Sequence, residues 1–157
     1  MLFKPRQKRQ RLDILLYINN QPINQVKKIV FLGVVIDENL SWKSHTSHLS
    51  NKISKSISII FRASFYLLKS SLRTLYFSMV YPYLQYCNIV WASTSPTNLN
   101  RIVLLQKHII RILNNSKFDA HTDPIFRDLH TLKFHDICKL HLCKNKLLPI
   151  FFNNIFF

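Results

Sequence analysis

The chain has 157 residues, with 22 Lys and Arg against 7 Asp and Glu, so its net charge is +15 at pH 7. With 48% apolar residues it is no disordered basic tail, and at this length it makes one domain or a small piece beside a larger one. A single glycine, Gly33, excludes phosphate-cradling glycine loops and dinucleotide fingerprints, and it argues against a turn-rich sandwich or barrel. The expected fold is mainly α.

Five cations, Lys4, Arg6, Lys8, Arg9 and Arg11, crowd the start. Residues 12–18 then form an apolar run closed by the turn cluster Asn19-Asn20-Gln21-Pro22. A second run, β-branched and too short for a helix, spans 29–36 and ends at Asp37-Glu38-Asn39. Together they predict a β-hairpin or two adjacent strands, with Gly33 marking a bulge or a close backbone approach. From Trp42 the apolar period becomes helical. Leu49, Ile53, Ile57, Ile60, Phe61, Phe65, Leu67 and Leu68 share one face, while Lys52, Lys55, Arg62 and Lys69 share the other. A helix over 42–68 would be roughly 40 Å long.

Ser70-Ser71 predicts a break and a helix cap. Segment 72–91 is apolar almost all round and reads as a buried central helix kinked at Pro82. Residues 74–100 carry no charge, but Pro82, Gln85, Asn88 and four tyrosines argue against a membrane span. The next helix, over 97–114, sets Leu99, Ile102, Val103, Leu105, Ile109, Ile110, Ile112 and Leu113 on one half. Arg101, Lys107, His108 and Arg111 occupy the other half, interrupted by Leu104. Asp123 as cap and Pro124 at the first position predict a helix over 123–131, and a last one covers 134–147. The expected architecture is a short N-terminal β-hairpin followed by a bundle of about five helices. The apolar end LLPIFFNNIFF reads as the tail of a truncated piece.

The chemistry is sparse. No two aspartates are adjacent, so no two-metal site, no catalytic residue and no cofactor is read in this chain. Asp37-Glu38 sits in a turn, and Asp119 stands four residues before the cap Asp123. Among His130, His135, Cys138, His141 and Cys143, the steps 135, 138 and 141 could line one helix face and hold zinc. Without a paired Cys-x-x-Cys knuckle they read better as partly buried helix residues. Cys87 has no neighbouring base to make it a nucleophile. The odd cysteine count and the lack of a cleavable leader suit an intracellular protein, nuclear or cytoplasmic and not secreted. What remains is charge. Two basic helix faces, Lys52, Lys55, Arg62 and Lys69 on one and Arg101, Lys107 and Arg111 on the other, can track a phosphate backbone. The interleaved aromatics Tyr17, Phe31, Trp42, Phe61 and Tyr66 can stack on bases or pack inside. Nucleic acid is the first partner this suggests, an anionic membrane face the second.

Four segments carry a resemblance. Phe31-Leu32-Gly33-Val34-Val35-Ile36-Asp37-Glu38-Asn39-Leu40-Ser41-Trp42-Lys43-Ser44-His45 resembles the stretch just after the palm in reverse transcriptases of non-LTR (LINE-type) retrotransposons. Tyr81-Pro82-Tyr83-Leu84-Gln85-Tyr86-Cys87-Asn88-Ile89-Val90-Trp91 and His121-Thr122-Asp123-Pro124-Ile125-Phe126 agree in order and spacing, as does the opening Ile18-Asn19-Asn20-Gln21-Pro22-Ile23. The resemblance runs over about residues 12–145. It implies that 1–40 is a hairpin remnant of the palm, with Phe31, Leu32 and Gly33 where the family's primer grip sits. By the same resemblance, 41–157 is a thumb-like region holding the template–primer duplex. The family's Tyr-x-Asp-Asp lies upstream, and the fingers and most of the palm are missing. Mg²⁺ is thus expected only for the full-length polymerase, and this piece alone is expected to make no DNA. A basic membrane-surface module and a zinc-stabilised interaction module stand as alternatives.

Overall fold

Pairs of positive-φ residues decide how the N-terminal runs fold. The computed structural model describes residue 1, residue 3 and residues 16–155, with side chains through Asn145. The basic start, positions 12–15 of the first apolar run and the side chains of the apolar tail lie outside the described residues. Strand β1 (Leu16–Ile18) pairs antiparallel with β2 (Gln21–Ile23) across Asn19 and Asn20, whose φ angles are 49° and 60°. Strand β3 (Lys28–Phe31) pairs antiparallel with β4 (Val34–Asp37) across Leu32 and Gly33, at φ 46° and 77°. A two-residue loop with both φ positive is the turn that matches strand twist.

The single hairpin expected from runs 12–18 and 29–36 is therefore corrected to two separate hairpins, because the second run folds back on itself at Leu32-Gly33. Gly33 marks a turn rather than a bulge. A Cβ there would meet only the Tyr86 ring, at 4.0 Å, so backbone conformation rather than space selects glycine.

Seven helices follow among the described residues: α1 (Lys43–Ala63), α2 (Lys69–Met79), α3 (Tyr81–Gln85), α4 (Asn88–Trp91), α5 (Pro96–Leu113), α6 (Thr122–Asp128) and α7 (Phe134–Ile155). The fold is mainly α, with more pieces than the five expected. The predicted 72–91 helix is three. Pro82 sits in the first turn of α3, where its missing N–H costs nothing. Tyr86 is extended and Cys87 left-handed at φ 49°, which ends α3 and opens α4. Helix α1 stops at Ala63 rather than continuing to 68, with Ser64 Oγ donating to the Phe61 carbonyl at 2.7 Å. Helix α2 starts at Lys69, so Ser70 and Ser71 lie inside it rather than capping it. Asp123 makes no cap either; it forms an ion pair with Lys133 at 2.8 Å.

Helix α1 packs chiefly on α5, which also receives α2 and α6. Leu49, Ile53, Ile57 and Ile60 of α1 meet Leu99, Ile102, Ile109, Ile110 and Leu113 of α5 in one buried cluster. Each such side chain contributes about 1.5–3 kcal/mol on burial. Trp91 stacks on Phe134 of α7 with ring centroids 5.6 Å apart. Buried Gln106 joins three elements. Its amide donates to the Tyr76 hydroxyl at 3.1 Å and to the Leu132 carbonyl at 3.0 Å, and its oxygen accepts from the Phe134 N–H at 2.7 Å. Burial pushes the Tyr76 hydroxyl up to about 12, so it stays protonated.

Candidate nucleic-acid interface

The two longest segments of the resemblance meet in space. Asp37 closes the loop after β4: its carboxylate accepts from the backbone N–H groups of Asn39 and Ser41 and from the Ser41 hydroxyl, all within 3.1 Å. Burial alone would raise its pKa, but the Ser41 and Asn39 hydrogen bonds win and hold it below the ordinary carboxylate value. The third residue of α1, the buried His45, accepts the Val35 N–H at Nδ1, 3.2 Å away, and meets the Trp91 ring edge-on at 5.6 Å. Burial first, then the charges of His48 and Lys52, depress its pKa to about 4, so the ring is neutral at pH 7. Thr94 Oγ1 donates to the Ser41 carbonyl at 2.8 Å. At the hairpin tip, the Tyr86 hydroxyl donates to the Leu32 carbonyl at 2.8 Å. Phe31 and Leu32 themselves are exposed, by 60% and 73%. Phe31, Leu32 and Gly33 thus sit on a hairpin tip that polar contacts fix against α1 and the α3–α4 corner.

The seven cations expected to bind nucleic acid separate into two groups. Lys52, Lys55 and Arg62 stand exposed on α1. The Lys52 ammonium lies 5.7 Å from the centre of the Tyr83 ring. Arg101 joins them from α5 by donating to Asn51 Oδ1 at 3.3 Å. Lys107 and Arg111 do not. Six residues separate Arg101 from Lys107, which turns them about 120° apart around the helix. All three lie within one half of α5, as expected, and of the three Arg101 is the one bonded to α1. Arg111 is half-buried and donates to the Ala120 carbonyl at 2.9 Å, securing the loop before α6. Lys69 donates to Asn114 Oδ1 at 3.2 Å, linking the start of α2 to the end of α5.

Charge is distributed unevenly along the chain. Between Asn39 and Phe118 there are ten lysines and arginines and no acid. The ion pairs among the described residues, Lys133–Asp123 and Lys139–Asp136, belong to the α6–α7 half. There a depression of about 680 Å³ is lined by Asp123, Arg127, His130, Lys133 and Asp136. Both its carboxylates are engaged by lysines, so it offers no free acid pair.

Among the described residues no three or more His, Cys, Asp or Glu side chains gather as a metal site. Cys138 is half-buried, and burial pushes its thiol up to about 11, which works against metal binding. No described helix is long and apolar enough to cross a membrane.

The sequence pattern missed one group. Phe65, Tyr66, Leu68 and Phe118 are among the most exposed large apolar side chains, at 70%, 89%, 77% and 78%. Phe61, Phe65, Leu67 and Leu68 were expected on the buried face, but α1 ends before the last three and Phe61 is 49% exposed. The one hint in the sequence is serine on both sides of the run, Ser64 before it and Ser70-Ser71 after it.

Comparison with known proteins agrees with the charge. Over 146 aligned residues the chain is 23% identical to the "Probable RNA-directed DNA polymerase from transposon X-element" of Drosophila melanogaster. The match covers 83% of this chain and 16% of that protein. This likeness supports a relation to transposon reverse transcriptases. The chain spans about a sixth of that relative's length. No family model matches the chain, and no solved structure matches it.

Proposed function

We propose that this chain is the segment of a non-LTR retrotransposon reverse transcriptase that follows the catalytic palm and grips the template–primer duplex through its backbone. On this reading residues 1–40 are a palm remnant and 41–157 a thumb. Phe31, Leu32 and Gly33 occupy the primer-grip position, and Mg²⁺ belongs to the full-length polymerase. The observation that carries the reading is the acid-free stretch from Asn39 to Phe118, whose exposed cations Lys52, Lys55 and Arg62 line α1. Those three span about 15 Å of helix, the length of several nucleotides of a strand. Arg101 widens the strip from the neighbouring helix.

A hybrid duplex offers its phosphates and its shape rather than readable base edges, so cations on a rigid helix suit it. Lys69 and Arg111, occupied in holding loops, are assigned a lesser share, and Lys107 faces the α6 flank. The hairpin's anchoring through His45 and Tyr86 gives the Phe31-Leu32-Gly33 tip a fixed bearing relative to that strip.

Binding of a blunt RNA–DNA hybrid, followed by fluorescence anisotropy over a salt series, tests the reading. The variant Lys52→Gln/Lys55→Gln/Arg62→Gln should bind weakly with unchanged helix content. Its log–log salt slope should shrink by about 0.9 for each lost phosphate contact, taking the B-form value. An unchanged slope would take the grip away from α1.

A further inference from the structure

We infer that the corner where α1 and α5 both end is a stacking site for unpaired nucleobases, serving the single-stranded extension of a duplex held on α1. The inference rests on the duplex-gripping reading and adds to it a second ligand state and a second surface.

The corner is built from two loops. The turn after α1 presents Phe65, Tyr66 and Leu68, and the loop after α5 presents Phe118. Lys69 Nζ, bonded to Asn114 Oδ1 at 3.2 Å, ties the two loops together. The aromatics are held rather than loose. Phe65 meets Phe61 edge-on with centroids 5.3 Å apart, and the Tyr66 N–H donates to the Ala63 carbonyl at 3.0 Å. Phe118 lies against the Arg111 guanidinium at 5.8 Å and the His108 ring at 5.9 Å. Large apolar side chains this open, on two loops joined through Lys69 and Asn114, mark an interaction surface.

Charge identifies the occupant. Arg62 follows Phe61 directly and is the last cation of the α1 strip, so the phosphate track leads into the aromatics. Lys69 follows the first loop's aromatics, Lys117 precedes Phe118 and Arg111 lies against its ring; Asp119, next to Phe118, is the single acid of these two loops. Aromatic rings set among cations that follow a backbone are the arrangement that binds single strands without reading their sequence. A lipid surface is the competing occupant, and the test separates the two.

The full-length chain is titrated with three probes: a labelled 12-nucleotide oligo(dT), the blunt hybrid, and vesicles of phosphatidylcholine with phosphatidylserine. In the variant Phe65→Ala/Tyr66→Ala/Phe118→Ala, single-strand affinity should fall about tenfold or more, while blunt-hybrid affinity and both salt slopes stay put. Tyr66→Trp should keep single-strand binding, since it retains a ring. All three positions are exposed, so melting should be unchanged and confirms a folded variant. Equal losses on both nucleic acids, or no loss on the single strand, would overturn the inference. So would vesicle binding that vanishes in the aromatic variant while the single strand still binds. An unchanged salt slope in the α1 cation variant counts against the duplex grip alone.

Discussion

Every residue of β1, β2 and β3 is exposed, whereas the helical body buries eighteen apolar residues in one cluster among the described residues. The hairpins owe their shape to turn conformation, and β4 alone contributes buried residues, Val34 and Asp37. They are joined to the body by a few polar contacts: His45 to Val35, Tyr86 to Leu32, Thr94 to Ser41. The helical body is held by area. One region can therefore lose a side chain at little cost, and the other cannot.

Truncating Trp91 should break the body most severely. Its ring is fully buried, stacks on Phe134 and donates Nε1–H to the Tyr86 carbonyl at 2.9 Å. Trp91→Ala should cost about 3–5 kcal/mol in chemical denaturation. Much of that loss should reach the joint, because His45 also leans on this ring.

Acid should act on the joint next. Unfolded, His45 takes a proton near pH 6.5; folded, it does so only near pH 4. The unfolded state thus binds more protons in that interval, and stability falls as pH drops from about 6.5 to about 4, by up to about 3 kcal/mol. His45→Gln, which keeps an acceptor for Val35, should flatten the melting temperature across this window. Asp37 acts lower. Its depressed pKa means a contribution present above about pH 4 and lost below it, in the wild type and the His45 variant alike.

The hairpins should yield the smallest effects. Gly33→Ala forces a side chain into φ 77° and should cost about 1 kcal/mol. Tyr17→Ser, on a fully exposed strand, should stay within about 0.5 kcal/mol. A loss for Tyr17→Ser as large as that for Trp91→Ala would erase the distinction between the two regions.

Helices α1 and α5 are legible in the amino-acid order because Leu49, Ile53, Ile57 and Ile60, and Leu99, Ile102, Ile109 and Leu113, recur at helical spacing. Turn conformation is not legible there. Leu32, Leu40, Trp42, Cys87 and His130 all take positive φ without the glycine that usually announces it. One glycine argued against a sandwich or barrel, and the fold is mainly α; its tight turns are made by bulkier residues, and the expected central helix breaks at Cys87 as a result. The α1 cations are legible for the same reason as its core: Lys52, Lys55 and Arg62 recur on one face. The partners of the α5 cations are not. Which flank of that helix is covered depends on where α6 docks, and Arg111 is absorbed by a loop carbonyl that no periodicity foretells. Leu105, placed with the core residues of α5, is half-buried, whereas Ile109 is fully buried.

The missing acids between Asn39 and Phe118 also bear on how the body stays folded. Ten like charges, nine of them on α1, α2 and α5, repel one another, and an extended chain feels that repulsion less. The compact form is thus assembled against its own field, and salt eases the strain by screening it. A polyanion bound to the folded surface would do so more fully, by shifting the folding equilibrium through mass action. A ligand at a hundred times its Kd adds about 2.7 kcal/mol in this way. Under the proposed function, a nucleic acid would be a counterion that completes the fold as well as a cargo that the fold holds.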